Sequence, residues 1–448
     1  MATDIRYSSS PSPGLPTVRQ IKSGEVPIRA SFPEPAPVFA RPRASLRAAF
    51  AILLLASGKA WGAAPVEDPS RIAALHAAAR PFDAHIDVPP NYGDPALPAA
   101  QAQFSLEKAK AGGLRTAGFA VFASQTPDTP EGRKAALDEA LARNAAIDRI
   151  VASPGARLAL SAADVRAINA TPDFAVVKTI VNGGAFATTP AEIAEWQTRG
   201  VRIFGLVHAG HNALADSSRP ALPRGEAPAR WGGLSLAGKA AVAELNRLGI
   251  VVDVSQLSSL AFRQAVALSK APVLASHSSV GALVDVGRNL SDGELDQLKA
   301  NGGVVAINAF SAYIRPDSPE TTARLAALRS EYGLKPEGGP PLPPERQQAY
   351  TKAYYAIRAT EPKATLAQFI DHVDHAVKRI GINHVALSSD FNHGGGVTGW
   401  ADVSETPAVT AELLRRGYSS ADIHKLWSGN LLRVLAASES LAKTQKGP

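Results

Sequence analysis

FDAHID, at residues 82–87, is a short apolar run that closes on a polar residue, and seven further runs of the same design follow it. They are TAGFAVFAS (116–124), AVVKTIVNGG (175–184), VRIFGLVH (201–208), IVVDVSQ (250–256), PVLASH (272–277), GVVAINAF (303–310) and HVALSSD (384–390). Between them lie segments such as LAGKAAVAELNRLG and FIDHVDHAVKRIG, whose apolar residues recur at the helical spacing of three and four. Near-continuous apolar strands alternating with helices indicate a parallel sheet covered on both faces. Eight such units predict an α/β fold, a (β/α)8 TIM barrel. A doubly wound open sheet is the alternative, but no glycine-rich phosphate turn follows the first strand. Residues 311–365, with GGPPLPPE inside, read as a long insertion between strands seven and eight, suited to a lid or an oligomer contact.

In such a barrel the C-terminal strand ends ring one pocket, so Asp87, His208, Gln256, His277 and Asp390 are expected to meet there. His85 and Asp87, two apart on a strand, share a face and can grip one cation. Asp390 ends the eighth strand beside the first. It can complete that shell or take a proton from a metal-activated water, the ordinary alternative being a helix cap. His208 and His277 serve either as hydrogen-bonded structural residues or as ligands at the same mouth. His211 is expected to shape its loop. Arg288, in VGRNLS, can clamp a carboxylate through paired hydrogen bonds, or simply sit on the surface. His372 and His375, three apart on a helical segment, are read as flanking the outer face of a barrel helix.

The composition narrows the function classes. Of the 448 residues, 45% are apolar, enough for a sizeable core, and cysteine is absent. That excludes disulfides, thiolate nucleophiles, cysteine-ligated zinc and iron–sulfur clusters. The formal charge is +7, but +5 of it falls in residues 1–62, leaving +2 for the remainder. A nearly neutral body carries no electrostatic footprint for nucleic acid. Within the first 62 residues, Arg41, Arg43 and Arg47 precede AAFAILLLAS (48–57) and the small-residue stretch GKAWGAA. Basic, apolar, then small is the order of a secretory signal, and the run is half the length a spanning helix needs. Residues 1–62 are therefore expected to be a leader with a signal peptide at 41–62. The 63–448 body is expected to be exported to a periplasm, with no membrane span.

The body resembles a known family, the membrane (renal) dipeptidases and their bacterial relatives, zinc-dependent (β/α)8 hydrolases. The likeness runs from about residue 80 to 436. It is carried by FDAHIDVP, GVRIFGLVHAGHNALADSS, GLSLAGKAAVAELNRLGIVVDVSQ, LSKAPVLASHSSVGALVDVGRNLSD, GGVVAINAF, DHVDHAVKRIGINHVALSSDF and WSGNLLRVL. The resemblance implies cleavage of dipeptides, in some members with a D-residue at the C-terminal position, by two zinc ions bridged by a glutamate. By position it makes His85, Asp87 and Asp390 ligands of one zinc, with Asp390 also the proton-transfer residue. His277 becomes a ligand of the second zinc, His208 the group that steadies the scissile carbonyl or its oxyanion, and Arg288 the anchor of the terminal carboxylate. The family precedent also favours a homodimer.

Two positions depart from that pattern. Where the bridging glutamate belongs, KTIVNGGAF offers Val181 or Asn182. Where a second histidine should follow DVS stands Gln256. Carboxamides are weak, neutral zinc ligands. One zinc per chain is therefore expected rather than two, in a hydrolase of dipeptides or small peptide-like amides. The alternative is a non-hydrolytic relative that binds or tailors a small peptide, for which the dipeptidase-like proteins of periplasmic siderophore maturation are a precedent.

Overall fold

The computed structural model describes residues 68–93 and 102–445; the leader and signal peptide expected at 1–62 lie outside them. Among the described residues nine parallel strands form the sheet: β1 (Phe82–Asp87), β2 (Thr116–Phe122), β3 (Ala156–Leu158), β4 (Phe174–Val181), β5 (Val201–Gly205), β6 (Val251–Asp253), β7 (Leu274–Ser278), β8 (Val304–Asn308) and β9 (Val385–Ser388). Eight of them run in the order β1-β2-β4-β5-β6-β7-β8-β9. The ring meets itself where Asp390 N donates to His85 O at 3.1 Å and Asp87 N donates to Phe391 O at 3.0 Å. The expected (β/α)8 barrel is therefore present. The unexpected strand is β3, three residues pairing only with β4 and off the barrel path; ARL is too short to leave a periodic signal.

Each strand is apolar on both faces because each face meets a different core. Inward, Phe82, Ala84, Val177, Ile203, Val251, Leu274, Val304 and Ala386 fill the barrel, joined by Leu431 and Leu435 of the C-terminal helix Asn430–Gln445. Outward, Ile86, Phe119, Val121, Val176, Ile180 and Phe204 pack on the helical shell. The helices begin where their sequences say they should. Thr189 with Glu192, Ser291 with Glu294 and Thr365 with Gln368 form reciprocal capping boxes, each cap stabilising its helix by about 1 kcal/mol.

The polar tips are less regular than continuous runs implied. His277 lies inside β7, but β5 stops at Gly205, three residues before His208, and β6 stops at Asp253, three before Gln256. Asn182, Gln256, Asp390 and Asn392 lie just beyond strand ends with φ of 62°, 68°, 57° and 65°. A left-handed residue turns the chain sharply at the mouth, a conformation Asn and Asp tolerate and Gln adopts at a cost. The insertion between β8 and β9 is helical, with Ser311–Ile314, Pro319–Glu331 and Pro344–Arg358. Among the described residues no helix is long and apolar enough to cross a membrane.

His372 anchors this insertion. Rather than facing outward, it is buried, accepting from Val280 N at Nδ1 (3.1 Å) with Nε2 3.0 Å from Ile314 O. His375, one turn on, pairs with Asp292 at 2.8 Å. Burial pushes the pKa of His372 down to about 4, against opposing pulls from the Ile314 carbonyl and Asp371. A folded pKa below the unfolded value means that the unfolded chain takes up the proton first. Its contribution to stability is thus complete above about pH 6.5 and lost as pH falls toward 4. Urea unfolding should show wild type losing about 3 kcal/mol more than His372→Gln between pH 7 and pH 4; parallel pH profiles would contradict this.

Candidate active site

The strand ends build a mouth with two unlike halves. On one side, His85 Nε2 lies 3.3 Å from Asp87 Oδ2 and 3.9 Å from Asp390 Oδ1. All three residues are buried, and one donor atom from each lies within 4.8 Å of the others. The barrel seam makes this possible, since the two backbone bonds that join β1 to β9 belong to these residues and their neighbour Phe391. A register shift between Asp83 and Ile86 sets the local turn of β1. Asp83 Oδ1 accepts from His85 N at 3.1 Å and Ser389 N at 3.0 Å, clamping the seam from below.

The charges there depend on one another. Burial acts to lower the pKa of His85, but the hydrogen bond and charge of Asp87, with Asp390, outweigh it and raise the value. Burial acts to raise Asp87, and is outweighed by His393, 3.7 Å away, and by His85, so its pKa is lowered. Asn308 Nδ2 donates to Asp390 Oδ2 at 3.0 Å, leaving Oδ1 toward His85.

The other half is cationic and hydrogen-bonded. The ring of His277 stacks on His85 at 4.0 Å between centroids. Its Nδ1 is 2.7 Å from Ser276 Oγ, and its Nε2 is 3.0 Å from Gln256 Nε2. His208 packs edge-on against Phe122 and His393. Burial first, and then Arg219, pull the pKa of His208 well below the ordinary histidine value. Burial also depresses His277 well below it, reinforced by His85; both imidazoles are neutral at pH 7. Arg288 is fully enclosed, yet Nη1 has only Ser278 Oγ at 3.2 Å, its Nε has no hydrogen-bond partner, and the group lies over the Tyr313 ring. Burial lowers it to about 10, so it stays cationic. A buried guanidinium with donors to spare calls for an anionic ligand.

The structure thus brings His85, Asp87, Asp390, His277, His208, Gln256 and Arg288 to one mouth. Neither residue at the glutamate position supplies a carboxylate. Val181 packs with Ala120 and Phe122, while Asn182 donates to Ala123 O and Gln125 Oε1 and accepts from Asn212 Nδ2. His211 does shape its loop, holding Ser217 N and the Ala227 carbonyl. Sequence reasoning missed Arg219, Asn308, Tyr313 and Asp83. Asn308 ends β8 and obeys the same strand-tip rule that found the others; Arg219 lies in a loop and Tyr313 in the four-residue helix Ser311–Ile314, neither of which leaves a periodic signal.

This chain belongs to the membrane dipeptidase family (peptidase family M19), whose profile matches residues 70–448. Among solved structures, it is similar to the probable dipeptidase PvdM from Pseudomonas aeruginosa. That match has 40% identity and a TM-score of 0.78, over 83% of this chain and 98% of that one. A metallo peptidase from Rhodobacter sphaeroides, solved with a phosphinate mimic of the dipeptide L-Ala-D-Ala, shares the fold at 24% identity and TM-score 0.61, over 80% of this chain and 99% of that one. Among curated proteins, dipeptidase tcpJ of Claviceps purpurea is 35% identical over 249 residues, 55% of this chain and 47% of that protein. The chain therefore spans about half the length of that curated relative.

The family implies a metal, and the first half of the mouth fits one. Two buried carboxylates converge on an imidazole nitrogen, a donor set of hard oxygens and one nitrogen suited to zinc. The second half does not fit, for the reasons given at Val181, Asn182 and Gln256. Because Asn308 orients Asp390, Asn308→Ala should weaken binding of a divalent metal about 10- to 100-fold in competitive chelator titrations; an unchanged affinity would show that Asp390 is held without it.

Proposed function

We propose that the chain hydrolyses dipeptides or small peptide-like amides with a single zinc ion held by His85, Asp87 and Asp390. The observation that carries this reading is the convergence of those three buried donors, opposite a buried and under-satisfied Arg288. When bound, the ion supplies Lewis-acid polarisation and brings the pKa of water toward neutrality. The chain's own residues do the rest. Arg288 anchors the substrate's terminal carboxylate, which fixes the distance from that end to the scissile bond. Asp390, turned by Asn308, accepts a proton from the attacking water. His208, kept neutral, offers an N–H to the oxygen on which negative charge develops. The water oxygen bonds to the carbonyl carbon, the C–N bond breaks, and the proton held by Asp390 passes to the leaving amine. The basic-then-apolar order at 41–57 supports an exported, periplasmic setting for this chemistry.

A second reading, a barrel that binds or tailors a peptide without cleaving it, is favoured by one observation: the Gln256 amide occupies His277 Nε2. Gln256→His with Asn182→Glu separates the two, since robust new peptidase activity in an otherwise inactive chain would identify a lapsed enzyme.

For the preferred reading, plasma mass spectrometry of chain purified without chelator should find about one zinc, lost in Asp87→Ala, because removing one carboxylate of three ligands opens the site. Asp390→Asn should lower turnover of a dipeptide panel by about 10²- to 10⁴-fold. Zinc retained in Asp87→Ala together with full hydrolysis in Asp390→Asn would sink the mechanism.

A further inference from the structure

The hydrogen bonds of the cationic half have only one consistent direction. Residues 217–218 are tied to 256–257 by a short antiparallel bridge and by Ser218 N donating to Gln256 O at 2.8 Å, which sets Arg219 beside the Gln256 side chain. Arg219 Nη2 then lies 2.5 Å from Gln256 Oε1, and Nη1 lies 3.0 Å from the hydroxyl of Tyr313. A guanidinium can only donate, so the amide oxygen of Gln256 must face it and the amide nitrogen must face His277. His277 Nε2 therefore accepts, and its proton sits on Nδ1, donating to Ser276 Oγ. Ser276 in turn donates to Asp253 Oδ2, whose other oxygen takes Ser255 N and Ser276 N. The chain Arg219–Gln256–His277–Ser276–Asp253 is complete at every link, and the lone pair with which His277 could hold a metal is spent on Gln256.

We propose that this half of the mouth is a metal-free oxyanion site in which Arg219 takes the place of a second metal ion. Its guanidinium, oriented by Gln256 and Tyr313 and 3.5 Å from His208 Nε2, holds the oxygen that becomes negative as the amide is cleaved. His277 is the fixed acceptor of the relay and not a metal ligand. The strained left-handed backbone of Gln256 is what delivers its amide between the two. The proposal rests on the hydrolase reading for the identity of that oxygen; the relay stands without it.

The test uses the full chain, a phosphinate analogue of L-Ala-D-Ala as a probe with a tetrahedral anionic centre, and zinc content as an independent readout. Zinc per chain in His277→Ala and His277→Asn should equal that of wild type. Arg219→Met should leave zinc content and melting temperature near wild type while weakening the phosphinate about 10- to 100-fold by calorimetry, and Arg219→Lys should recover most of that loss. Two zinc ions per wild-type chain, loss of zinc in folded His277 variants, or an unchanged phosphinate affinity in Arg219→Met would each overturn it. Phosphinate binding that depends on Arg219 in a chain that holds no zinc would uphold the oxyanion site and remove the hydrolase reading. A wild-type chain that fails to bind the phosphinate would remove both.

Discussion

Closure of the barrel between β1 and β9 is the constraint on which the site depends. Two backbone hydrogen bonds join the seam, Asp390 N to His85 O and Asp87 N to Phe391 O, and they bring two buried carboxylates and an imidazole together. Burying two such charges side by side costs several kcal/mol per ion unless a counter-charge is present. The nearness of His393 and the hydrogen bond from His85 favour the charged form of Asp87, and the three converging donors can take a cation in their place. Fold and chemistry are thus coupled in both directions. The sheet must close to assemble the ligands, and the ligands make closure costly until they are neutralised.

That coupling also decides what could be read from sequence. The apolar runs and intervening helical periods follow from burial on both faces of a parallel strand, which constrains every residue in the run, so the barrel was legible. The pair at 85 and 87 was legible because strand alternation is a local rule. Asp390 was legible only through topology, since nothing near position 390 points to position 85 except the order of strands around the ring. Arg219 and Tyr313 had no such handle. Their segments are placed by a few long-range contacts, among them the 217–257 bridge and the His372 anchor, which no periodicity announces. The short strand β3 escaped for the opposite reason, being too brief to show alternation at all. His372 was rightly set apart from the site but placed on the wrong surface, because a lone polar residue on an amphipathic helix does not say whether a loop will cover it.

The two halves of the mouth divide one electrostatic task. The seam half is negative and suited to a hard cation; the half around β6 and β7 is positive through Arg219 and Arg288, with neutral His208 and His277 between them. A neutral imidazole beside two guanidiniums avoids adding like charge to a buried cluster, and burial enforces that neutrality. A substrate with a carboxylate at one end and a polarisable carbonyl a fixed distance away complements this layout. An unmodified apolar ligand would leave Arg288 buried with donors unpaired.

The change from histidine to glutamine at position 256 has a physical logic beyond the loss of a ligand. A neutral imidazole also carries one acceptor and one donor nitrogen, but its lone pair is a good ligand for a second cation, whereas a carboxamide is a poor one. The Gln256 amide accepts from Arg219 and donates to His277, so the position holds a covalently tethered cation in register. A tethered guanidinium cannot be lost to a chelator or exchanged for the wrong metal. It cannot ionise a water as a metal ion does either, which is why the proposed mechanism keeps one ion at the seam. On this argument the missing glutamate and the Gln256 substitution are one alteration: with Arg219 in place, a bridging carboxylate would have only one metal to bridge.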